Sequence, residues 1–396
     1  MQNKYFKTKI SCYTGFVVQA IINNFLPILF ICLQDNYSLD YEELARLIII
    51  NFLAQLGVDL LTPKVTKHLG YKVTAFLSQF TAFLGLIMMG ILPVVMRDKY
   101  LAICISAVVY ALGSGMMEVI LSPMVDILPS NNKRGGMSIL HSFYCWGQAF
   151  TIIVTSALLS LVGTKHWNYI PLVWAVIPFF NALSFLKVPI IEPKEDKKLA
   201  TLGELLKRPK FLGFMLMMLC AGASEIAMAQ WASLFAQNGL GVNKVIGDLA
   251  GPCAFALLMA FGRVYYGINA KKMDFKKIVL TLSLFAIICY LGVAFTKNAV
   301  LSLVFCALCG LAVSIFWPST YSQGAVDFTD GGMVMYGVFA MCGDIGAALV
   351  PWVLGIVADG MGLKVGFGFA AIFPVMMFIA TLVSVKSKKS LQNISK

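Results

Sequence analysis

The sequence has little charge and few of the motifs that soluble enzymes use. Only 13% of its 396 residues are Asp, Glu, Lys or Arg, whereas soluble globular chains carry about 25%. It has three histidines, His68, His141 and His166, and no G-x-x-x-x-G-K-[ST], G-x-S-x-G or H-E-x-x-H motif. We therefore expect no enzyme and no ATP hydrolysis, so that uphill work would draw on an ion gradient.

The ten cysteines lie mostly as single residues inside apolar runs. They do not show the ligand spacing of a zinc site, so they are interpreted as small apolar side chains. No metal and no cofactor are expected.

Long apolar runs fill most of the chain and indicate an all-α membrane protein. Hydrophobic residues make up 59% of the sequence, and many runs are long enough to cross about 30 Å of hydrocarbon. The second run is interrupted by Asn51, Gln55 and Asp59, and the sixth is short. We predict twelve transmembrane helices, at 9–34, 43–69, 73–95, 99–127, 136–163, 169–187, 211–238, 244–268, 277–295, 299–327, 332–357 and 364–385.

The distribution of Lys and Arg predicts the orientation. With both termini in the cytoplasm, 24 of the 31 basic residues fall in cytoplasmic segments, as the positive-inside rule requires. The formal charge of +12 then faces an anionic inner leaflet, and the basic residues are too dispersed for a nucleic-acid-binding patch. We expect a multi-pass protein of the cell inner (plasma) membrane that contacts the lipid bilayer and no nucleic acid.

A charged connection, "EPKEDKKLATLGELLKRPK", separates six predicted spans from six. It predicts an N-terminal bundle at 1–187, a cytoplasmic linker at 188–210 with a short helix in "LGELLKR", and a C-terminal bundle at 211–396. "KRGGM" recurs as "TDGGM" 196 residues later, and Gly147 and Gly343 share that offset. We therefore predict two pseudo-symmetric six-helix bundles with a site at mid-membrane between them.

One carboxylate, Glu118, lies inside the apolar run "ALGSGMMEVILSP" of the fourth span. Ionisable side chains at membrane depth are costly, so a functional role is expected by default. Ser114 and Ser122 share the helical face of Glu118, and Gly113 and Gly115 allow a close neighbouring helix.

His141 begins a polar stripe in the fifth span, with Tyr144 and Gln148 three and seven residues later. A short loop joins the fourth and fifth spans, so we predict that His141 and Glu118 come close and form a proton relay. The alternative is that the two side chains only hydrogen-bond to each other and hold two helices together.

Glu225 lies near mid-depth in the seventh span, followed by Trp231. At an offset of 198 it corresponds to Pro27, just after Asn23 and Asn24 in the first span. The two spans would then supply amides from one half and a carboxylate from the other. The alternative is a carboxyl group that hydrogen-bonds to a neighbouring helix.

The tenth and eleventh spans supply further candidates. Ser314, Trp317 and Tyr321 follow at i, i+3 and i+7, and rings with hydroxyls suit a sugar, although such a stripe more often serves packing. Trp231 is interpreted in the same way. Asp344 is one charge among glycines, which are themselves candidate close-packing points.

Two charges near the cytoplasmic ends of corresponding spans are interpreted differently. Asp59 in the second span and Arg263 in the eighth are expected to serve a gate or packing, not substrate contact. Asp126 and Asp327 end the fourth and tenth spans, where a solvated or loop-capping role is expected.

The sequence resembles the fucose–galactose–proton symporter branch of the major facilitator superfamily in four segments that contain several of these candidate residues. The similar segments are "GSGMMEVILSPMVDIL", "ILHSFYCWG", "GLAVSIFWPS" and "GDIGAALVPWVLGIVAD", and the span pattern matches over the whole chain. The loop "PKVTKHLGYK" keeps the basic, glycine-aromatic end of the superfamily's motif but lacks its aspartate. "INNFLPIL" has Pro27 where the branch carries an acid.

The resemblance implies the major facilitator fold, a protonatable role for Glu118 and a polar cavity position for His141. We predict a secondary active transporter of a sugar or sugar-like small polar solute that works by alternating access, coupled to a proton or a sodium ion. Proton coupling is assigned to Glu118, His141 and Glu225. Substrate binding is assigned to Asn23, Asn24, Tyr144, Gln148, Trp231, Ser314, Trp317 and Asp344.

Two alternatives stay open. One is an antiporter of the same fold that exports drugs or amphipathic metabolites, and the other is a membrane receptor or scaffold that transports nothing. A monomer is the expected oligomeric state. Which solute is carried, and whether proton or sodium drives it, are not determined by the sequence.

Overall fold

Helices form all of the regular secondary structure in the residues that the computed structural model describes, which are 2–39, 41–192, 199–236, 241–242, 246–247 and 249–385. The middle of the predicted linker, Lys244 and the tail after residue 385 lie outside the described residues. The α-helices are α1 (Phe6–Ile28), α2 (Phe30–Tyr37), α3 (Tyr41–Val95), α4 (Lys99–Asp126), α5 (Lys133–Val162), α6 (Tyr169–Lys187), α7 (Leu202–Leu206), α8 (Pro209–Leu234), α9 (Ala254–Asn269), α10 (Phe275–Phe295), α11 (Ala299–Val313), α12 (Phe316–Asp327), α13 (Gly332–Met361), α14 (Leu363–Ala370) and α15 (Ile372–Ser384).

Ten helical segments of the described chain are long and apolar enough to cross a bilayer, so the chain is a multi-pass membrane protein. One of them, Arg46–Val95 in α3, has the length of two spans and is broken at Gly70, where φ is 78° and ψ is 167°. The helix α1 is not among the ten, because Gln19, Asn23 and Asn24 dilute its apolar side chains. The full set of twelve spans stays a prediction.

Contacts divide the chain into two compact units. Unit 1 consists of Met1–Ser130 and Phe143–Glu195, and unit 2 of Asn131–Ser142 and Asp196–Lys396. The helix α5 therefore contributes its first turns to unit 2 and the rest of its length to unit 1.

Within unit 1, α4 packs against both arms of α3 through glycines. A Cβ atom on Gly113 would lie 2.6 Å from the Ser78 carbonyl oxygen, and one on Gly115 would lie 3.0 Å from that of Gln55. The close approach predicted for these two glycines is confirmed. It brings the face of α4 that carries Glu118 against the amide-bearing arm of α3.

In unit 2, α8 and α13 cross through a second set of glycines. A Cβ atom on Gly222 would overlap the backbone of Gly343, and one on Gly346 would overlap the Leu219 carbonyl oxygen and lie 2.9 Å from Ala223 N. The glycines around Asp344 thus serve close packing, which was one of the expected roles.

We predict that Gly346→Ala will destabilise the protein by about 1–3 kcal/mol, because backbone atoms must move to admit the methyl group. Gly57→Ala in α3 is the control, since nothing lies within 4 Å of its Cβ position. It should leave the melting temperature unchanged or slightly raised. Melting of both variants in detergent tests this, and equal melting temperatures would contradict it.

The end of the linker is fastened to the α12–α13 loop of unit 2. The predicted short helix is confirmed as α7, which begins with a capping box between Thr201 and Glu204. The Arg208 guanidinium donates to both carboxylate oxygens of Asp330, at 2.8 and 2.6 Å. Lys210 pairs with Asp327 at 2.9 Å, which gives that aspartate a partner at the end of α12.

The Arg208–Asp330 pair predicts a pH-dependent stability. Hydrogen bonds from Arg208 hold the pKa of the Asp330 carboxyl below its ordinary value, so this stabilisation is present above about pH 4 and is lost as pH falls through the lowered pKa. Asp330→Asn should lower the melting temperature slightly at about pH 7 and not at about pH 2. An equal loss at both pH values would contradict the prediction.

A carboxylate from the start of the linker caps the break in α3. Both carboxylate oxygens of Glu192 accept from the Tyr71 amide at 3.0 Å, and one accepts from the Lys72 amide at 3.3 Å. These amides begin the helical arm that follows Gly70, where unpaired N–H groups favour a negative charge. Glu192 thereby places a carboxylate at the loop "PKVTKHLGYK", which has none of its own.

Candidate functional site

Polar side chains from three helices form a partly buried hydrogen-bond network in unit 1. Asn23 Oδ1 on α1 accepts from Gln55 Nε2 at 3.1 Å and from Asn51 Nδ2 at 3.4 Å, both on α3. The Ser114 hydroxyl on α4 donates to Gln55 Oε1 at 3.0 Å. In an apolar interior such bonds are strengthened, so the network positions three helices and holds a group of amides together.

Glu118 lies one turn after Ser114 on the same face of α4 and forms a second polar contact beside this network. Its carboxylate accepts a hydrogen bond from Gln19 Nε2 on α1, and both side chains are buried. Gln19 is one turn before Asn23, so the two α1 amides share a helical face. The carboxylate singled out by the sequence is thus held by Gln19, an amide of the first span that was not assigned to the site alongside Asn23 and Asn24.

Among the described residues of unit 1, four buried amide oxygens receive no hydrogen bond: Gln19 Oε1, Asn51 Oδ1, Gln79 Oε1 and Gln148 Oε1. Buried polar atoms are normally paired, so unpaired acceptors indicate where a ligand with O–H or N–H donors would be favoured. This is the polar surplus expected of a site for a hydroxyl-rich solute.

In unit 2, Glu225 on α8 and Arg263 on α9 form a buried ion pair. Arg263 Nη2 donates to Glu225 Oε2 at 2.7 Å, and the Arg263 side chain is 2% exposed. The pair compensates two charges that would each be costly alone. Glu225 is therefore bonded to a neighbouring helix, as one of the two expectations from the sequence had it.

Arg263 also replaces a hydrogen bond that Pro318 of α12 cannot make. Pro318 has no N–H to donate to the Ser314 carbonyl four residues earlier, and the helix is interrupted there between α11 and α12. Arg263 Nε donates to that carbonyl instead, at 2.9 Å. One side chain thus pairs Glu225 and satisfies the broken helix.

The first turns of α5 are fastened to α9 within unit 2. The Ser138 hydroxyl donates to the Arg263 carbonyl at 2.6 Å, and Asn132 Nδ2 donates to the Gly267 carbonyl at 2.9 Å. Arg263 Nη1 donates to the His141 carbonyl at 2.9 Å. His141 is thereby held through its backbone beside the ion pair.

Aromatic rings surround the predicted stripe of Ser314, Trp317 and Tyr321. Tyr321 is fully buried, with its ring centroid 5.7 Å from that of His141, 6.4 Å from Trp317 and 5.3 Å from Tyr336. The Trp317 ring fills the space above Gly343, and its Nε1 donor has no acceptor from the protein. Trp317 therefore combines a packed ring with an unpaired N–H.

Other predicted substrate residues have partners in their own unit. Asn24 Nδ2 and the Ser314 hydroxyl donate to carbonyls of their own helices at 2.8 and 2.7 Å. Trp231 Nε1 donates to a backbone carbonyl of α13 at 3.1 Å. Tyr144 is half-buried and Asp344 is buried.

Asn23 and Glu118 both belong to unit 1, in two hydrogen-bonded groups that involve α1 and α4, whereas His141 belongs to unit 2. The predicted Glu118–His141 pairing stays a prediction. Sequence analysis treated Asn51 and Gln55 as interruptions of the second span. Their spacing of four residues, which places both on one helical face, was the signal that could have identified them.

Comparisons with known proteins agree with this architecture. The family model described as Major Facilitator Superfamily matches residues 12–351. Two crystal structures of the fucose symporter FucP are similar: the fucose:proton symporter of E. coli (17% identity, TM-score 0.80) and FucP in the outward conformation (18%, 0.79). Each alignment covers 97% of this chain and 100% of that chain.

A third similar structure is the proton:xylose symporter XylE bound to 6-bromo-6-deoxy-D-glucose, with 12% identity, a TM-score of 0.82 and full coverage of both chains. At these identities the likeness concerns the fold. A search of curated protein sequences found no match.

Proposed function

Because the chain belongs to the Major Facilitator Superfamily, whose members are transporters and not enzymes, we propose that it carries a sugar or sugar-like small polar solute by alternating access, in symport with protons. The observation that carries the proposal is the buried Gln19–Glu118 contact beside a partly buried amide network of unit 1. Such a network offers a solute and a proton neighbouring sites on the same helices.

The solute class is argued from the hydrogen-bonding groups that lack partners. Of the unpaired acceptors in the described part of unit 1, those of Asn51 and Gln148 are proposed to face the solute, and in unit 2 the Trp317 N–H is the proposed donor. A polyol supplies O–H donors and oxygen acceptors together, and its C–H face packs on an indole ring. Asn23, Asn24, Tyr144, Trp231, Ser314 and Asp344 complete the proposed set of substrate residues.

The proton site is argued from charge. Glu225 already has a cationic partner in Arg263, whereas a neutral amide from Gln19 holds Glu118. Glu118, which accepts from the Gln19 amide, is the carboxylate to which the resemblance gives a protonatable role, and it is the proposed proton carrier. His141 and Glu225 are proposed to assist through the hydrogen bonds that Arg263 donates to the His141 carbonyl and the Glu225 carboxylate.

The predicted architecture belongs to the same proposal. It comprises twelve transmembrane helices in two pseudo-symmetric six-helix bundles at 1–187 and 211–396, joined by the linker at 188–210. The protein would act as a monomer in the cell inner membrane with both termini cytoplasmic. The length of α3 and its break at Gly70 support counting it as two spans.

Uptake by proteoliposomes tests the proposal. Purified protein is reconstituted, a pH gradient is imposed, and entry of radiolabelled sugars and polyols, including fucose and xylose, is followed. We expect a solute to accumulate on the alkaline side and a protonophore to abolish this. Movement of the solute towards the acidic side would indicate an antiporter. Uptake that depends on a sodium gradient would indicate that sodium, not the proton, is the coupling ion. No gradient-driven movement of any solute would contradict the proposal.

A further inference from the structure

The Gln19 amide is hydrogen-bonded to Glu118 at its nitrogen, and its oxygen has no partner among the described residues. Its Nε2 atom donates to Glu118, its Oε1 atom receives no donor from the protein, and the side chain is 2% exposed. A buried amide that is half satisfied is costly, and the missing partner must be a hydrogen-bond donor. The unpaired Oε1 acceptor of Gln19 therefore requires an explanation.

The orientation of this amide follows from the ionisation of Glu118. A carboxylate only accepts hydrogen bonds, so it requires the N–H end of Gln19 and leaves Oε1 as the group on offer. A protonated Glu118 has an O–H, which can donate to Oε1 and occupy it. Gln19 then offers only N–H donors, so protonation changes what the amide presents from an acceptor to a donor.

The surroundings determine which form favours a hydroxyl-rich solute. Asn51 Oδ1 and Gln148 Oε1 in unit 1 are acceptors without donors, and they would use the hydrogens of a bound polyol. The polyol's oxygen lone pairs then need a donor. Gln19 supplies one when Glu118 is protonated, so the protonated form should bind the solute more tightly.

We propose that Gln19 is the positioning residue that couples solute binding to the protonation of Glu118. This inference rests on the proposed function and assigns the coupling to one amide. Coupling is reciprocal, so a proton on Glu118 raises solute affinity by the same factor by which the solute favours the proton. Gln19 needs no charge for this task, because only the end of its amide that faces Glu118 changes, from the nitrogen to the oxygen.

Other titratable groups face the same helices and must be separated from Glu118. Within unit 1, α4 packs against α3 and α1. The buried groups on these elements are Asp59 and Tyr71 on α3, Cys12 on α1 and Tyr110 on α4, and Asp126 lies at the end of α4. Asp59→Asn is therefore included, and it should leave the pH dependence of solute binding in place.

Two measurements on the full-length protein test the proposal, and the first needs no solute. The infrared carboxyl band of Glu118, identified by its loss in Glu118→Gln, is followed against pH in the wild type and in Gln19→Met. Methionine keeps the length of the side chain and removes both hydrogen-bonding ends. We expect the band to shift in frequency and in titration midpoint, and an unchanged band would overturn the contact.

The second measurement compares the affinity for fucose and for xylose at acid and alkaline pH. We expect a 5- to 150-fold preference for acid in the wild type, and a ratio near one in Gln19→Met, with binding retained. Gln79→Met is the matched control, because Gln79 is a fully buried glutamine of the same unit with neither polar atom paired.

An unchanged ratio in Gln19→Met would overturn the proposal. If Gln19→Met does not fold, Gln19→Asn, which is one methylene too short to reach Glu118, should show the same loss. If the wild type binds neither sugar, the proposed solute class fails, while the infrared result still decides whether Gln19 responds to Glu118.

Discussion

Replacing Arg263 with methionine is expected to lower the free energy of unfolding by about 3–5 kcal/mol, because it leaves the buried Glu225 carboxylate without its cation. The Ser314 carbonyl, which Pro318 cannot serve, loses its donor in the same variant. Methionine fills a similar volume, so the loss reports charge and hydrogen bonding more than packing.

The double variant Arg263→Met with Glu225→Gln separates these effects. Neutralising the carboxylate should restore most of the lost stability, since removing both ends of a buried pair costs far less than removing one. Melting in detergent, followed by size-exclusion chromatography, measures both variants and the control. Arg208→Met is the control for the loss of an exposed pair and should change little. A double variant no more stable than Arg263→Met would contradict the assignment of the loss to the uncompensated charge.

Glu118→Gln is expected to abolish accumulation of the solute driven by a pH gradient while exchange across the membrane continues. The amide has the shape of the carboxyl group and can still accept from Gln19, but it cannot take up and release a proton. One pH unit is worth about 1.4 kcal/mol per proton, so with one proton per solute the wild type can concentrate its solute about tenfold. The variant should stop at equal concentrations.

The measurement is paired uptake and counterflow exchange in proteoliposomes. Asp330→Asn serves as the control, because it is the same kind of acid-to-amide change outside the spans, in the α12–α13 loop. It should accumulate solute like the wild type. Accumulation by Glu118→Gln at the wild-type level would remove Glu118 from proton coupling.

The features predictable from the sequence are those set by one helix at a time. Hydropathy indicated the membrane-spanning segments, and the capping residues around "LGELLKR" favoured the short helix α7. Gly113 and Gly115 showed where α4 could approach a neighbour, because only glycine admits a backbone so closely. Each of these depends on local composition and not on which helices meet.

The pairings within the site depend on which helices meet. Gln55 and Asn23 are 32 residues apart, and Glu225 and Arg263 are 38 apart, so their contacts follow from helix packing. Arg263 was assigned to a gate or packing because its position near a helix end was considered without its partner. Pro318 was a usable signal, because a proline has no N–H to donate to the carbonyl four residues earlier, which is that of Ser314.

The Glu225–Arg263 pair has a consequence for how the protein enters the membrane during synthesis. The two charges lie on successive long helices, so the carboxylate and its cation can leave the translocation channel together as one hairpin. Separately, each would cost about 2.5–3.5 kcal/mol at the centre of the bilayer. The Ser314 carbonyl follows Arg263 by 51 residues, which at 5–20 residues per second is a delay of roughly 3–10 s. The Glu225–Arg263 ion pair can therefore form first. The hydrogen bond from Arg263 to the Ser314 carbonyl can form only after that later segment has been synthesised.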